Sequence, residues 1–231
     1  MIARLFWVAL AAGLAAGLVA AGVQAVGIWP LIDTAETFEV ADPAAAHEWS
    51  PEGATRTAWS VIFDILAGVG FALLANGALL VFRSLRDVTP DWRVGAALAA
   101  FGFATFSLAP AFGLAPALPG MAEGDLVARQ VWWLATAAAT LSGGVLMFLG
   151  RRSQDWLFGV VLLAAPHVIG APGEAMGLIG LLSQTGTIGE GSLPVDLAKR
   201  FAVLSLAAAA IFWAALGFAS AWLQRRYLEL R

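Results

Sequence analysis

The chain has 231 residues, of which 60% are hydrophobic and only 13% are charged, and its formal net charge is −3. Soluble domains carry about 25% charged residues, so this chain has too little polar surface to cover a globule in water and is suited to lipid instead. The absence of Cys excludes disulfides, thiolate metal sites and covalently attached haem. These features predict one integral membrane domain over residues 1–231, surrounded by lipid and without a nucleic-acid partner.

Six apolar segments are long enough to cross a bilayer, which takes roughly 17–25 residues in a helix. They cover residues 5–28, 57–82, 93–112, 129–149, 155–171 and 200–223. The fifth segment is the shortest and ends at Pro166-His167. The sequence therefore predicts an all-α, polytopic transmembrane helical bundle of six spans.

The basic residues favour one side of the membrane. With the N-terminus inside, nine of the 13 basic residues lie in inner segments, namely Arg4, Arg83, Arg86, Arg93, Arg151, Arg152, Arg225, Arg226 and Arg231. Loops that stay in the cytoplasm are enriched in Lys and Arg, so both chain termini are predicted to be cytoplasmic. Most acidic residues fall in the outer segments, where they would concentrate cations, although acidic outer loops also serve solubility alone.

Three outer helix starts share a pattern in which an acidic residue precedes an Arg by four positions. The pairs are Glu52 with Arg56, Asp125 with Arg129, and Asp196 with Arg200. An Arg in the first helical turn opposes the helix dipole, and an acid placed four residues earlier compensates for it. We interpret the pairs as structural ion pairs and the repeat as three tandem helical hairpins. A small-residue face, such as Ala9, Gly13 and Gly17 in the first span, is typical of close helix packing.

Asp64 lies well inside a predicted span, about 12 Å along the helix from Arg56 and between apolar neighbours. A carboxylate inside a membrane is costly and is a functional hypothesis by default. The alternative is a structural Asp that is bonded to a neighbouring helix. Asn76, Thr105, Thr136 and Thr140 add polar groups within the spans, and we expect Thr136 and Thr140 to bond their own i−4 carbonyls.

Candidate metal ligands lie near the outer ends of the spans. Glu36 and Glu39 are three residues apart and would share one face of a helical turn, His47 follows in the same loop, and His167 ends the fifth span. Nitrogen and carboxylate ligands without sulfur suit Co²⁺, Ni²⁺, Zn²⁺ or Mn²⁺ rather than Cu⁺. The spacing matches no closed metal motif, and a lone interfacial His is more often structural.

Motifs of common enzymes are missing from the sequence. There is no phosphate-binding G-x-x-x-x-G-K-[S/T] loop, no HExxH metalloprotease motif and no visible Ser/His/Asp set. We therefore expect the chain not to be an enzyme and to hold no permanently bound cofactor.

Several stretches together resemble the CbtA family of predicted cobalt transporter subunits. They include Ala128-Arg129-Gln130-Val131-Trp132-Trp133, Pro166-His167-Val168-Ile169-Gly170-Ala171-Pro172, Phe106-Ser107-Leu108-Ala109-Pro110-Ala111 and Leu118-Pro119-Gly120. The resemblance runs over nearly the whole chain. Ala117 departs from the family pattern, in which a Glu usually precedes the Leu-Pro-Gly stretch.

The resemblance implies a bacterial inner (plasma) membrane protein that acts in cobalt uptake linked to cobalamin synthesis. It also implies a small partner, CbtB, with one span and a His-rich segment. Glu36, Glu39, Arg129 and His167 are, by resemblance, the candidates for shared functional positions.

Three hypotheses follow from the sequence. In the first, the chain forms an inward path for Co²⁺ (or Ni²⁺ or Zn²⁺), with Glu36, Glu39, His47, Asp64 and His167 as its metal ligands. In the second, the chain is a non-transporting membrane scaffold that anchors a partner subunit, and its polar pairs serve only packing. In the third, the chain is a transporter for an organic cation or a corrinoid, which would have a larger apolar cavity lined by Trp and no converging carboxylates.

Overall fold

The computed structural model describes residues 2–38, 53–86, 88–121, 124–173, 176–189 and 192–228. Its helices in chain order are α1 (Ile2–Gly27), α2 (Trp29–Glu36), α3 (Gly53–Arg86), α4 (Trp92–Phe103), a π-helical segment (Ala104–Leu108), α5 (Ala109–Gly113), α6 (Leu126–Leu149), α7 (Ser153–Ile169), α8 (Leu178–Ser183) and α9 (Val195–Leu228). Two short antiparallel strands, β1 (Thr187–Ile188) and β2 (Leu193–Pro194), form a hairpin just before α9. The predicted all-α bundle is confirmed.

The six predicted spans correspond to helices. Within the described residues, five helical stretches are long and apolar enough to cross a membrane: Ile2–Gly27, Gly53–Arg86, Trp92–Gly113, Leu126–Leu149 and Val195–Leu228. The third of these combines α4, the π-helical segment and α5. The predicted fifth span is the shorter apolar helix Ser153–Ile169, so the expectation that it would be the shortest is also confirmed.

The chain divides into two compact units. Unit 1 comprises Met1–Gly27, Asp42–Phe103 and Ala207–Arg231, and unit 2 comprises Ile28–Ala41 and Ala104–Leu206. The boundary thus falls inside both the third span and α9. Each unit is described separately below.

In unit 1, α1 packs along α3 through residues without bulky side chains. A Cβ added at Gly13 would lie 2.5 Å from Cα of Val69, and one added at Gly17 would lie 2.6 Å from the carbonyl oxygen of Asp64. A Cβ at Gly68 would meet the carbonyl oxygen of Gly13. The backbones therefore approach as closely as small residues allow, which is how spans associate when lipid removes the hydrophobic driving force between them.

The part of α9 in unit 1 packs through Trp213, which is 4% exposed. Its ring lies 5.2 Å from that of Phe71 on α3, in an edge-to-face arrangement. On α4, a Cβ at Gly102 would collide with the same indole, so only a residue without a side chain leaves room for the ring at this position. Aromatic pairs in this geometry add to the packing energy of the interface.

In unit 2, the π-helical segment and α5 pack on α6, and α6 packs along α7. The predicted second hairpin, which joins the third and fourth spans, is therefore present in this unit, as the first hairpin is in unit 1. Pro110 explains the π-helical segment, because proline supplies no amide hydrogen and its ring crowds the carbonyl of the residue four positions earlier, Phe106. One extra residue in the preceding turn relieves that clash. The third hairpin, of the fifth and sixth spans, stays a prediction.

Candidate functional site

The candidate metal ligands fall in different parts of the chain. Asp64 lies on α3 in unit 1, whereas Glu36, at the end of α2, and His167, in the last turn of α7, belong to unit 2. Glu39 and His47 lie outside the described residues. Among the residues that the structure describes, no group of three or more His, Cys, Asp or Glu could hold a metal ion. The five-residue ligand set stays a prediction.

Asp64 is held at the interface between α1 and α3. The side-chain amide Nε2 of Gln24, on α1, donates a hydrogen bond of 2.8 Å to Oδ1 of Asp64. The other carboxylate oxygen, Oδ2, is buried and has no hydrogen-bond partner among the described residues. A buried carboxylate oxygen without a donor is strongly unfavourable. The arrangement suits a group that takes a cation or a proton at Oδ2, while Gln24 fixes the carboxylate plane through Oδ1.

A second polar cluster in unit 1 is fully hydrogen-bonded. Asn76, on α3, donates to Oγ of Ser220 (2.9 Å) and to the carbonyl of Ala72 (2.8 Å). Gln224, on α9, donates to Oδ1 of Asn76 (3.0 Å) and accepts from Nη1 of Arg83 (3.1 Å). Asn76, Ser220 and Gln224 are each 0% exposed. Because each side-chain amide has a hydrogen-bond partner, this cluster holds α3 and α9 together and is not an open binding site.

His167 lies in unit 2 against two aromatic rings. Its ring centroid is 6.3 Å from that of Phe112 and 5.9 Å from that of Trp132, both edge to face. The side chain is exposed and takes part in these two ring contacts. α7 ends two residues later, and Gly170, at φ 87°, terminates it. The two aromatic contacts orient the imidazole and leave its nitrogens available to an external ligand.

The acid–Arg pairs show one role that the sequence did not predict. Asp125 is the N-cap of α6, and its Oδ1 accepts a hydrogen bond of 2.9 Å from the backbone amide of Ala128. Asp196 lies in the first turn of α9, where a negative charge is favourable to the helix dipole. Glu52 lies outside the described residues. The ion pairs with Arg56, Arg129 and Arg200 stay predictions.

The comparison with protein families identifies the chain. Residues 2–225 match the family model described as "Probable cobalt transporter subunit (CbtA)". The chain belongs to the CbtA family. No curated protein and no solved structure matches it.

Membership in the CbtA family makes the chain a probable subunit of a cobalt transporter and a membrane protein with transmembrane helices. A subunit acts with other subunits, which agrees with the expectation of a partner subunit. The cargo of such a transporter is a divalent cation that exchanges water for oxygen and nitrogen ligands. In the part of the chain that the structure describes, Asp64 and His167 carry ligand atoms of that kind, because Oδ2 of Asp64 has no hydrogen-bond partner and the His167 side chain is exposed.

Sequence reasoning about this CbtA chain missed Gln24, Ser220 and Gln224. Each is a polar residue inside or at the end of an apolar segment, and each bonds to a polar residue on another span. Pairing polar residues between spans could have suggested Gln24 as a partner of Asp64. The expectation for Thr140 was wrong, because its hydroxyl makes no hydrogen bond in the described structure, whereas Thr136 donates to the carbonyl of Trp132 at 2.9 Å as expected.

Proposed function

We propose that this chain is the membrane-spanning path of a cobalt uptake system that moves Co²⁺ into the bacterial cytoplasm and supplies cobalamin synthesis. The chain acts in the inner membrane with both termini cytoplasmic, together with a small single-span, His-rich partner of the CbtB type. Ni²⁺ and Zn²⁺ compete as cargo. The observation that carries the proposal is the family match over residues 2–225, nearly the whole chain.

Charge distribution supports inward movement of a cation. The inner segments hold most of the Arg residues, and the outer segments hold most of the Asp and Glu residues. An acidic outer face raises the local concentration of cations. Moving two positive charges down an inside-negative potential yields about 4.6 kcal/mol per 100 mV, so entry does not require ATP.

The candidate ligands have separate roles in this proposal. Glu36, Glu39, His47 and His167 bind the cation at the outer side as it loses water, and the His-rich partner adds nitrogen ligands. Asp64 then takes the ion within the membrane through Oδ2, the atom that has no protein donor. The affinity at each step stays modest, because a conducting site must also release its ion. The chain is not an enzyme and keeps no cofactor of its own.

Uptake of radiolabelled Co²⁺ by cells that express the chain, with and without the partner, tests this proposal. We expect uptake at low external metal that Ni²⁺ and Zn²⁺ reduce, and that falls in Asp64→Asn and His167→Ala at equal protein level. Asp91→Asn is the matched control, because Oδ1 of Asp91 caps the start of α4 by accepting hydrogen bonds from the backbone amides of Arg93 and Val94, and Asn can cap in its place.

The same experiment separates transport from a scaffold role. If the chain is folded in the membrane but no uptake occurs with or without the partner, the transport proposal fails. Co-purification of a partner under those conditions would then favour a non-transporting scaffold. Uptake that is equal in wild type, Asp64→Asn and His167→Ala would keep transport but refute these two ligands.

A further inference from the structure

In unit 2, three buried polar side-chain atoms of uncharged residues lack hydrogen-bond partners in the described structure. They are Oγ1 of Thr105, Oγ1 of Thr140 and Nε1 of Trp132. The three side chains are 0%, 6% and 8% exposed, respectively. Buried polar groups in folded proteins almost always have a protein or water partner, so three such atoms in one unit point to a ligand that satisfies them.

Thr140 has an available protein acceptor that it does not use. Four residues earlier on the same helix, Thr136 donates to the carbonyl of Trp132, which is the usual bond of a Thr inside a span. The Thr140 hydroxyl makes no such bond. The Thr140 hydroxyl is therefore not oriented by a hydrogen bond to its own helix, whereas the Thr136 hydroxyl is.

The packing register places Thr105 and Thr140 at a common depth. A Cβ added at Gly113 would collide with the indole of Trp132, so these two residues lie side by side in the antiparallel third and fourth spans. Thr105 precedes Gly113 by eight residues, and Thr140 follows Trp132 by eight. The two hydroxyls therefore lie at the same level to within about one helical turn of 5.4 Å. The π-helical segment that contains Thr105 packs directly on α6.

Along α6 the polar groups are evenly spaced. Trp132, Thr136 and Thr140 are four residues apart and share one buried face, with a rise of about 6 Å between neighbours. Two hydrogen bonds through one water span about the same distance. The upper end of this face is in contact with the exposed ring of His167. The π-helical segment lies beside this face. Such segments interrupt the regular i→i−4 hydrogen bonds of an α-helix and are frequent at functional sites.

We propose that a narrow water-filled path enters the membrane beside His167 and runs along the Trp132–Thr136–Thr140 face of α6 to Thr105 in the π-helical segment. Its ligand is water, hydrogen-bonded in turn to the indole N–H and the Thr hydroxyls. The path lies within unit 2. It deepens the transport proposal by placing water beside His167, where the cation is bound, and it rests on that proposal only for the identity of the cargo.

Cysteine accessibility tests the path directly, because the chain contains no native Cys. Thr105→Cys and Thr140→Cys are made separately and treated with a charged, membrane-impermeant methanethiosulfonate. Leu141→Cys, 40% exposed on the neighbouring α6 position, is the control for a lipid-facing site at the same depth, and Ala208→Cys, 4% exposed, is the control for a dry buried site. Only the thiolate reacts, and it forms in water but not in apolar surroundings, so we expect both test positions to react at least about tenfold faster than the controls.

Reaction of both test positions at the control rates would overturn the path. Labelling uses no metal, so its outcome is independent of whether the chain carries Co²⁺: labelled positions with no uptake would keep the path and refute the cargo. If a Cys variant does not fold, thermal unfolding of Thr140→Val replaces the test. A hydrated hydroxyl predicts a lower melting temperature for that variant, and a dry, unsatisfied one predicts an unchanged or higher temperature.

Discussion

Nε2 of Gln24 lies 2.8 Å from Oδ1 of Asp64, so the first and second spans share a hydrogen bond at the carboxylate that is the main candidate for ion binding in the membrane. Gly17 lets the helices meet at this level, because its missing side chain leaves room for the Asp64 backbone. A Gln that donates to one carboxylate oxygen leaves the other, Oδ2, for a ligand. In Asp64, Oδ1 therefore has a structural role in holding the two helices together, and Oδ2 is the atom that can bind a ligand.

Substitutions at the two ends of this hydrogen bond should differ in effect. We expect Gln24→Leu to reduce the free energy of unfolding by about 0.6–2 kcal/mol, because the bond between spans is lost. Asp64→Asn should retain stability, since the Asn side-chain oxygen still accepts from Gln24, yet it should abolish most Co²⁺ uptake. Thermal unfolding in detergent and uptake assays measure the two effects. Unchanged uptake in a stable Asp64→Asn protein would show that Asp64 is only structural.

Gly13 should tolerate no side chain at the crossing of α1 and α3. A Cβ there would lie 2.5 Å from Cα of Val69, so we expect Gly13→Ala to force the helices apart and cost about 1–3 kcal/mol. Gly22, on the same helix, has nothing within 4 Å of an added Cβ. Gly22→Ala should therefore be neutral or stabilising by up to about 1 kcal/mol. Equal melting temperatures for the two variants would contradict this close crossing.

Gln224 should be important for stability rather than for transport. It joins Arg83 and Asn76 between α3 and α9 and is fully buried. We expect Gln224→Leu to destabilise the protein by about 1–2 kcal/mol, because the amide of Asn76 and the guanidinium of Arg83 lose a partner. Gln184→Leu, at an exposed position after α8, should stay within about 0.5 kcal/mol of wild type. A Gln224→Leu protein as stable as wild type would show that this hydrogen-bonded cluster does not stabilise the packing of α3 on α9.

His167 should affect uptake more than stability. Its side chain is exposed and contacts Phe112 and Trp132 only through their rings, so we expect His167→Ala to change the free energy of unfolding by less than about 1 kcal/mol. Uptake should fall severalfold, because an imidazole ligand at the entrance is lost. Val168→Ala, at the neighbouring 84% exposed position, is the control and should leave uptake unchanged. A similar loss in both variants would indicate a packing defect at the end of α7.

The spans could be predicted from sequence because their apolar length is set by the bilayer. Predicted and observed spans agree to within a few residues except at helices α3 and α9, which extend beyond the apolar core into polar ends. The small-residue face of α1 was also predictable, since only small residues allow close packing between spans. The π-helical segment was not predicted, although Pro110 marks the place where the third span departs from α-helix.

Pairings between distant residues could not be predicted in the same way. Gln24 and Asp64 are 40 positions apart, and Asn76 and Gln224 are 148 apart, so their contacts depend on the packing of whole helices. The Thr140 hydroxyl makes no hydrogen bond to its own helix, which the i−4 spacing alone did not predict. Hydropathy and periodicity contain no information of this kind.

Flux through the purified chain tests the central claim most directly. The protein is placed in vesicles with a set inside-negative potential, with and without its partner, and the entry of radiolabelled Co²⁺ is followed. The account predicts entry that grows with the potential and is strongly reduced in Asp64→Asn. A folded, correctly inserted protein that admits no Co²⁺ at any potential, alone or with the partner, would contradict it.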